Sequence, residues 1–204
     1  REIAPDLVLS AGDLPWHYIE YVASCVDVPV VFVPGNHDPQ LTSRGLRRRS
    51  GAYDAQDADC EGNRPLGAQC IDQDVVEAAG LRIAGLGGCV RYKAGPHQYS
   101  QRQYVGRARR LVRRARRAGE IDVLLTHAPP LGLGDAEDRP HHGIEALHGV
   151  LERLEPSWHV HGHIHPYGQT MPDRNVGPTI VANVIPWRVL EITPKASLIG
   201  VPSR

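Results

Sequence analysis

Four short polar signatures recur in this chain, each directly behind an apolar run. Gly12-Asp13 follows Leu7-Val8-Leu9-Ser10-Ala11, and Gly35-Asn36-His37-Asp38 follows Pro29-Val30-Val31-Phe32-Val33. Thr126-His127 closes Ile121-Asp122-Val123-Leu124-Leu125, and Gly162-His163-Ile164-His165 follows Trp158-His159-Val160-His161. Short apolar runs bounded by turn residues predict buried strands. Chemistry-bearing residues that repeatedly follow a strand confine the chain to a layered α/β fold, in which ligand sites gather at the carboxyl ends of strands.

The segments between these runs fit that frame. Pro15 opens a helix that runs to about Cys25, since proline is tolerated in a first turn. Strand, helix and strand make a βαβ unit, which predicts that residues 7–11 and 29–33 are parallel neighbours. Residues 39–68 are polar and arginine-rich and read as a long loop. Val75-Val76-Glu77 and Leu81-Arg82-Ile83-Ala84-Gly85, split by Ala79-Gly80, predict a hairpin. Tyr104, Ala108, Leu111 and Ala115 recur at helical spacing within 101–118, and Gly119 is a natural stop. Ile144, Leu147, Leu151 and Leu154 mark another amphipathic helix. Residues 179–184 and 188–192 read as closing strands.

The 204 residues favour a single domain spanning 1–204. Twenty-three basic and 23 acidic residues cancel. That balance gives no global attraction to nucleic acid or to a membrane surface. Arg107, Arg109, Arg110, Arg113, Arg114, Arg116 and Arg117 crowd the 101–118 helix without interleaved aromatics, which predicts a solvated face rather than a nucleic-acid contact. No apolar stretch reaches the length of a membrane span, and no signal-peptide pattern stands at the start. The expected location is cytoplasmic. Cys25, Cys60, Cys70 and Cys89 show no CxxC pairing and read as reduced thiols, a Cys60–Cys70 bridge being the minor reading.

The signatures supply carboxylate, amide oxygen and imidazole, a donor set suited to zinc, iron or manganese. A glycine before Asp13 allows a sharp turn and close approach. In an extended segment His163 and His165 point to the same side. Singly, each motif is weak: Gly-Asp is commonly a turn, Asn36 commonly stabilises one, and His-X-His also serves as a polar edge. The ordered set of four points to metal-dependent hydrolysis.

Asp13, Gly35-Asn36-His37-Asp38, His127 and Gly162-His163-Ile164-His165 together resemble the signature blocks of the calcineurin-like metallophosphoesterases, over residues from Asp6 to about Ile192. Gly85-Leu86-Gly87-Gly88-Cys89-Val90-Arg91-Tyr92, with Thr126-His127-Ala128-Pro129-Pro130, resembles a bacterial branch of predicted phosphoesterases. The resemblance implies a four-layer α/β/β/α sandwich of two mixed β-sheets flanked by helices. It implies two divalent metal ions (manganese, iron or zinc), with Asp13 bridging them. Asn36, His127 and His163 would complete one ion, and His165 would bind the other. His37 would face substrate as general acid or phosphate stabiliser, with Asp38 orienting it or a ligand. The implied reaction is phosphoester hydrolysis, as a phosphodiesterase or phosphatase, with a metal-bridging hydroxide as nucleophile. The substrate would be a small molecule or nucleotide. Arg91, His141 and His142 are weaker candidates for contacting its phosphate.

Two positions depart from that pattern. The family's opening Asp-X-His block has no counterpart and would lie upstream of Arg1, so the resemblance implies a domain without its first strand and helix. Three places after Asp13, where the family often has an acid, stands Trp16, and the neighbouring His17 is not taken as its substitute. The missing block motivates an alternative of a different class: a non-catalytic scaffold, or a protein holding a single metal ion.

Overall fold

The computed structural model of the chain describes residues 3–41, 64–169 and 171–195. Their order is β1 (Val8–Ser10), α1 (Trp16–Cys25), β2 (Val30–Phe32), β3 (Gln69–Cys70), β4 (Val75–Ala78), β5 (Leu81–Leu86), β6 (Cys89–Val90), β7 (Gln98–Tyr99), α2 (Gln101–Ala118), β8 (Val123–Thr126), α3 (Ala146–Leu154), β9 (Trp158–His161), β10 (Arg174–Val176) and β11 (Thr179–Asn183). A 3-10 turn lies at Arg139–His141. The expected βαβ unit is present, with β1 and β2 parallel and Ser10 opposite Phe32.

Two sheets carry the fold. The larger has the order β10-β11-β9-β8-β5-β4. Its four inner strands are parallel, and β10 and β4 flank them antiparallel, so the sheet is mixed. The smaller sheet, β1-β2-β3, is parallel throughout its described strands. Alternation along the strands separates two cores. Ile83, Val123, Leu125 and Val160 meet Val31, Val33 and Ile71, with Leu7 and Leu9 beside them, so this core lies between the sheets. Ala84, Leu86, Leu124 and Val181 point the other way, onto Tyr104, Ala108, Leu111 and Ala115 of α2 and Leu147 and Leu151 of α3. All four residues of β8 are buried, as expected of a strand covered on both faces.

Helix α2 shows why its ends fall where they do. Ser100 and Gln103 form a reciprocal capping box, and Gly119 closes the helix at φ 106°. Its apolar stripe is the predicted one. Truncating Leu111, which is fully buried, would cost roughly 2–5 kcal/mol in lost transfer and cavity terms.

Two expectations are corrected. Arg107 does not join the solvated arginine face. It is buried, donates from Nη2 to Asp72 at 2.7 and 2.8 Å, and lies 3.8 Å from the Tyr99 ring centroid. Its place between Tyr104 and Leu111 puts it on the inward stripe, where a paired carboxylate and an aromatic face offset its desolvation. Residues 188–192 form no strand. Leu190 and Ile192 pack against the inter-sheet core, while Val189 is exposed. Among the described residues no neighbouring strand pairs with this segment. The short β3, β6, β7 and β10 are additions to the expected elements. The predicted 39–68 loop falls largely on 42–63, outside the described residues. Of the cysteines, Cys25, Cys70 and Cys89 are free thiols, and Cys60 lies outside the described residues.

Candidate metal centre

Strands β1, β2, β8 and β9 end at the same edge, with Ser10 level with Phe32 and Thr126 level with His161. The four signatures therefore converge. Two of the residues they carry have left-handed backbone, Asp13 at φ 59° and His163 at φ 67°. Non-glycine residues hold such values only where the surroundings enforce them. The approach of the first two loops is close enough to require glycine. A Cβ on Gly12 would stand 2.4 Å from Gly35 N, and one on Gly35 would stand 2.1 Å from Asp13 Oδ1.

Asp38 joins these loops. Its Oδ2 accepts from the backbone N–H of Asp13 at 3.0 Å and of Gly35 at 2.7 Å. Asp13 Oδ1 accepts in turn from the His37 N–H at 2.8 Å. Asp13 Oδ2 is left facing His127 Nε2 at 3.3 Å. His127 is fully buried, and its Nδ1–H donates to the Ala11 carbonyl at 2.7 Å. A carbonyl can only accept, so Nδ1 carries a proton, and Nε2 is the nitrogen left free to ligate a metal ion. Nε2 faces Asn36 Oδ1 at 3.0 Å as well as Asp13. His163 is arranged likewise. Its Nε2–H donates to the Pro140 carbonyl at 2.8 Å, which leaves Nδ1 as the acceptor. The His127 and His163 ring centroids are 4.7 Å apart. One ligand atom each from Asp13, His127 and His163 lies within 4.8 Å of the others.

This arrangement fits a divalent cation. Carboxylate and amide oxygens that converge on an imidazole nitrogen need a positive charge among them, which a proton or a metal ion supplies. The carbonyls behind the two histidines fix each tautomer, the usual role of groups outside the ligand set. Burial pushes His163 down to about 4, and the charge of His127 pushes the same way, so the ring is neutral and able to ligate near pH 7. Burial alone would raise Asp13. The hydrogen bond and charge of His127, with the His37 N–H, outweigh it and hold the carboxyl below its usual range. Burial raises Asp38 against the backbone N–H groups it accepts.

The structure thus brings Asp13, Asn36, His127 and His163 together. His165 is exposed, its ring 6.1 Å from that of Tyr167, and it stands outside the Asp13–His127–His163 cluster. His37 is exposed at the rim while its backbone N–H is held by Asp13. Arg91 donates to the Gln98 carbonyl and to Gln103 Oε1, which ties it to β7 and the start of α2. His141 Nδ1–H donates to Asp138 Oδ2 at 2.7 Å, with its ring 5.4 Å from that of His163. His142 is half-buried just behind the 3-10 turn. Trp16 is half-buried and His17 exposed on α1. Tyr92, beside Arg91, reaches the site directly, its hydroxyl accepting from Asn36 Nδ2 at 3.3 Å. The carbonyls of Ala11 and Pro140 have no sequence signature, because every residue carries one.

The fold and the site define a two-sheet α/β sandwich with a cluster of borderline metal ligands at the carboxyl edge of its strands. The family model for calcineurin-like phosphoesterase matches residues 1–167, and the chain belongs to that family. Among curated proteins, UPF0046 protein T07D4.2 of Caenorhabditis elegans is 49% identical over 53 residues, which is 24% of this chain and 13% of that protein. UPF0046 protein K07C11.7 of the same organism is 39% identical over 46 residues, 22% of this chain and 16% of that protein. These matches therefore span a small part of each relative. Among solved structures, TT1561 of Thermus thermophilus aligns at a TM-score of 0.51 and 14% identity, over 88% of this chain and 76% of its own. A second crystal structure aligns at 0.52 and 21% identity, over 83% of this chain and 65% of its own. At such identities the likeness is one of fold. Among the described residues no helix is long and apolar enough to cross a membrane.

Proposed function

We propose that this chain hydrolyses phosphoesters in a metal-dependent reaction, as a phosphodiesterase or phosphatase acting on a small or nucleotide-like substrate. The observation that carries the reading is the meeting of His127 Nε2, Asp13 Oδ2 and Asn36 Oδ1, all atoms of metal-ligand type, with both oxygens within 3.3 Å of the imidazole nitrogen. Asp13, Asn36, His127 and His163 would hold one divalent ion of manganese, iron or zinc. His165, with Asp13, would serve a second and weaker one. When bound, such ions polarise the phosphoryl group and lower the pKa of water.

The remaining roles belong to the chain itself. Asp38 holds the Asp13 and Gly35 loops in one register. His37 stands exposed beside Asp13 and would donate a proton to the departing oxygen or a hydrogen bond to the phosphoryl group. His141, held by Asp138 and close to His163, would approach the phosphate from the opposite loop.

The test is turnover of p-nitrophenyl phosphate and of its bis ester by the chain with manganese. His37→Ala is expected to lower kcat by about 10²–10⁴-fold, the usual span for a positioned acid or base. No turnover of either ester, or His37→Ala as active as the parent, would reject the reading. The exposed place of His165, apart from the cluster, favours a second reading in which a single ion is held without catalysis. Metal analysis after dialysis against manganese separates the two. About two equivalents support the dinuclear enzyme, one supports the single-ion reading, and none leaves the fold as a scaffold.

A further inference from the structure

The loop that carries Asn36, His37 and Asp38 is bounded by Pro34 and Pro39. Proline has no backbone N–H, so each end of this loop can be tethered through the main chain only by its carbonyl. Both carbonyls are held, and from the same distant segment. The Pro34 carbonyl accepts from the Gly88 N–H at 2.7 Å. The Pro39 carbonyl accepts from His97 Nε2–H at 2.9 Å, across 58 positions of sequence. Midway along the loop, Asn36 Nδ2 donates to Tyr92 of that segment.

This clamp is itself anchored. Asp72 Oδ1 accepts from the Gly87 N–H at 2.7 Å and from Arg107 Nη2 at 2.7 Å. Tyr104 Oη donates to the Gly87 carbonyl at 3.2 Å. The His97 carbonyl accepts from the Cys89 N–H at 3.0 Å, which secures the His97 backbone independently of its ring. His97 is 4% exposed, has left-handed backbone at φ 51°, and its Nδ1 has no partner among the described residues. The ring is therefore buried for a single polar contact, and that contact is with the metal loop.

We propose that His97 is a positioning residue that sets the reach of Asn36 and His37 by fixing the far end of their loop, with the Asp72–Arg107 pair as its anchorage. The inference rests on the metal reading given above, and it names a residue outside the family's ligand blocks. Loss of the imidazole frees the Pro39 carbonyl, and the loop pivots on the Gly88–Pro34 hydrogen bond. Asn36 then leaves His127, and the His37 N–H leaves Asp13.

Two variants of the full chain test this. His97→Leu keeps bulk and removes the donor, whereas His97→Gln keeps a donor near the position of Nε2. Without metal, amide hydrogen exchange at His37 is expected to quicken about tenfold or more in His97→Leu, while exchange at Leu125 in the core stays as in the parent. Manganese affinity by calorimetry is expected to fall roughly 10–100-fold, the range for groups that orient ligands from behind. His97→Gln is expected to recover most of both. Unchanged exchange at His37 overturns the inference, and so does unchanged manganese affinity in His97→Leu. Equal loss in both variants, with faster exchange at Leu125, also overturns it by marking a merely structural role. A parent chain that binds no manganese overturns the metal reading instead, and the exchange comparison then judges the clamp alone.

Discussion

Strand β8 has a buried polar residue just beyond each end, Asp122 before it and His127 after it, and their surroundings are opposite in kind. Asp122 is 5% exposed. Its Oδ2 accepts from the Arg82 N–H and its Oδ1 from the Lys195 N–H, both at 2.7 Å. Acceptor meets donor at each oxygen, so the carboxylate is satisfied within the fold. His127 is more deeply buried, and its Nε2 faces a carboxylate oxygen and an amide oxygen. Burial and polarity do not distinguish the two ends. The kind of partner does: backbone N–H donors match the Asp122 oxygens, whereas the His127 end gathers imidazole and oxygen atoms that can ligate a cation.

This contrast can be broken at either end. Asp13→Ala has the largest expected effect. It should abolish measurable manganese binding, a loss beyond the 10–100-fold range of indirect ligand support. It should change thermal stability without metal only slightly, because the half-buried carboxylate gives up one hydrogen bond from the His37 N–H and its contact with His127. A marked loss of stability in calorimetry without metal would show that the cluster is structural after all. Asp122→Ala should do the reverse. It strands two backbone donors at about 1–3 kcal/mol each, and for a chain of this size a few kcal/mol lowers Tm by roughly 5–15 °C. Its manganese affinity should match the parent, and a parallel fall in affinity would erase the distinction between the ends.

The smallest expected effect is on pH. Burial holds His159 well below its ordinary range and His161 at about 4. In the unfolded chain both protonate near 6.5, so stability is full above that value. It falls as the pH drops from 6.5 toward 4, because only the unfolded state takes up the protons. His161 alone contributes on the order of 2 kcal/mol between pH 7 and 5 by this linkage. Urea unfolding at the two pH values, without metal, checks it. No change would mean that these imidazoles are not buried neutral behind the site.

Much of this is legible in the order of residues. Apolar runs ending on Gly12, Pro34, His127 and Gly162 locate four strand ends, and four-residue steps from Tyr104 to Ala115 locate α2. The part that escapes has physical reasons. β3, β6 and β7 have two residues each, too few for a period, and they exist because neighbouring backbone is there to pair with. Residues 188–192 have strand-like composition without a strand beside them. The charge of Arg107 points outward, although its position on the apolar stripe is the better guide. Within the site the ligating side chains are visible as motifs. His97 and the carbonyls of Ala11 and Pro140 are not, since a lone histidine in a loop and a main-chain oxygen look the same wherever they occur.

The left-handed backbone at Asp13 and His163 has a consequence for anyone redesigning this protein. Residues in that region carry about 1–3 kcal/mol of strain, which glycine would relieve. A search for hardier variants guided by folding alone will therefore favour glycine at both places and discard the side chains that give the domain its chemistry. Robustness and activity pull in opposite directions there, and improvements in heat tolerance should be sought on surfaces away from those two turns.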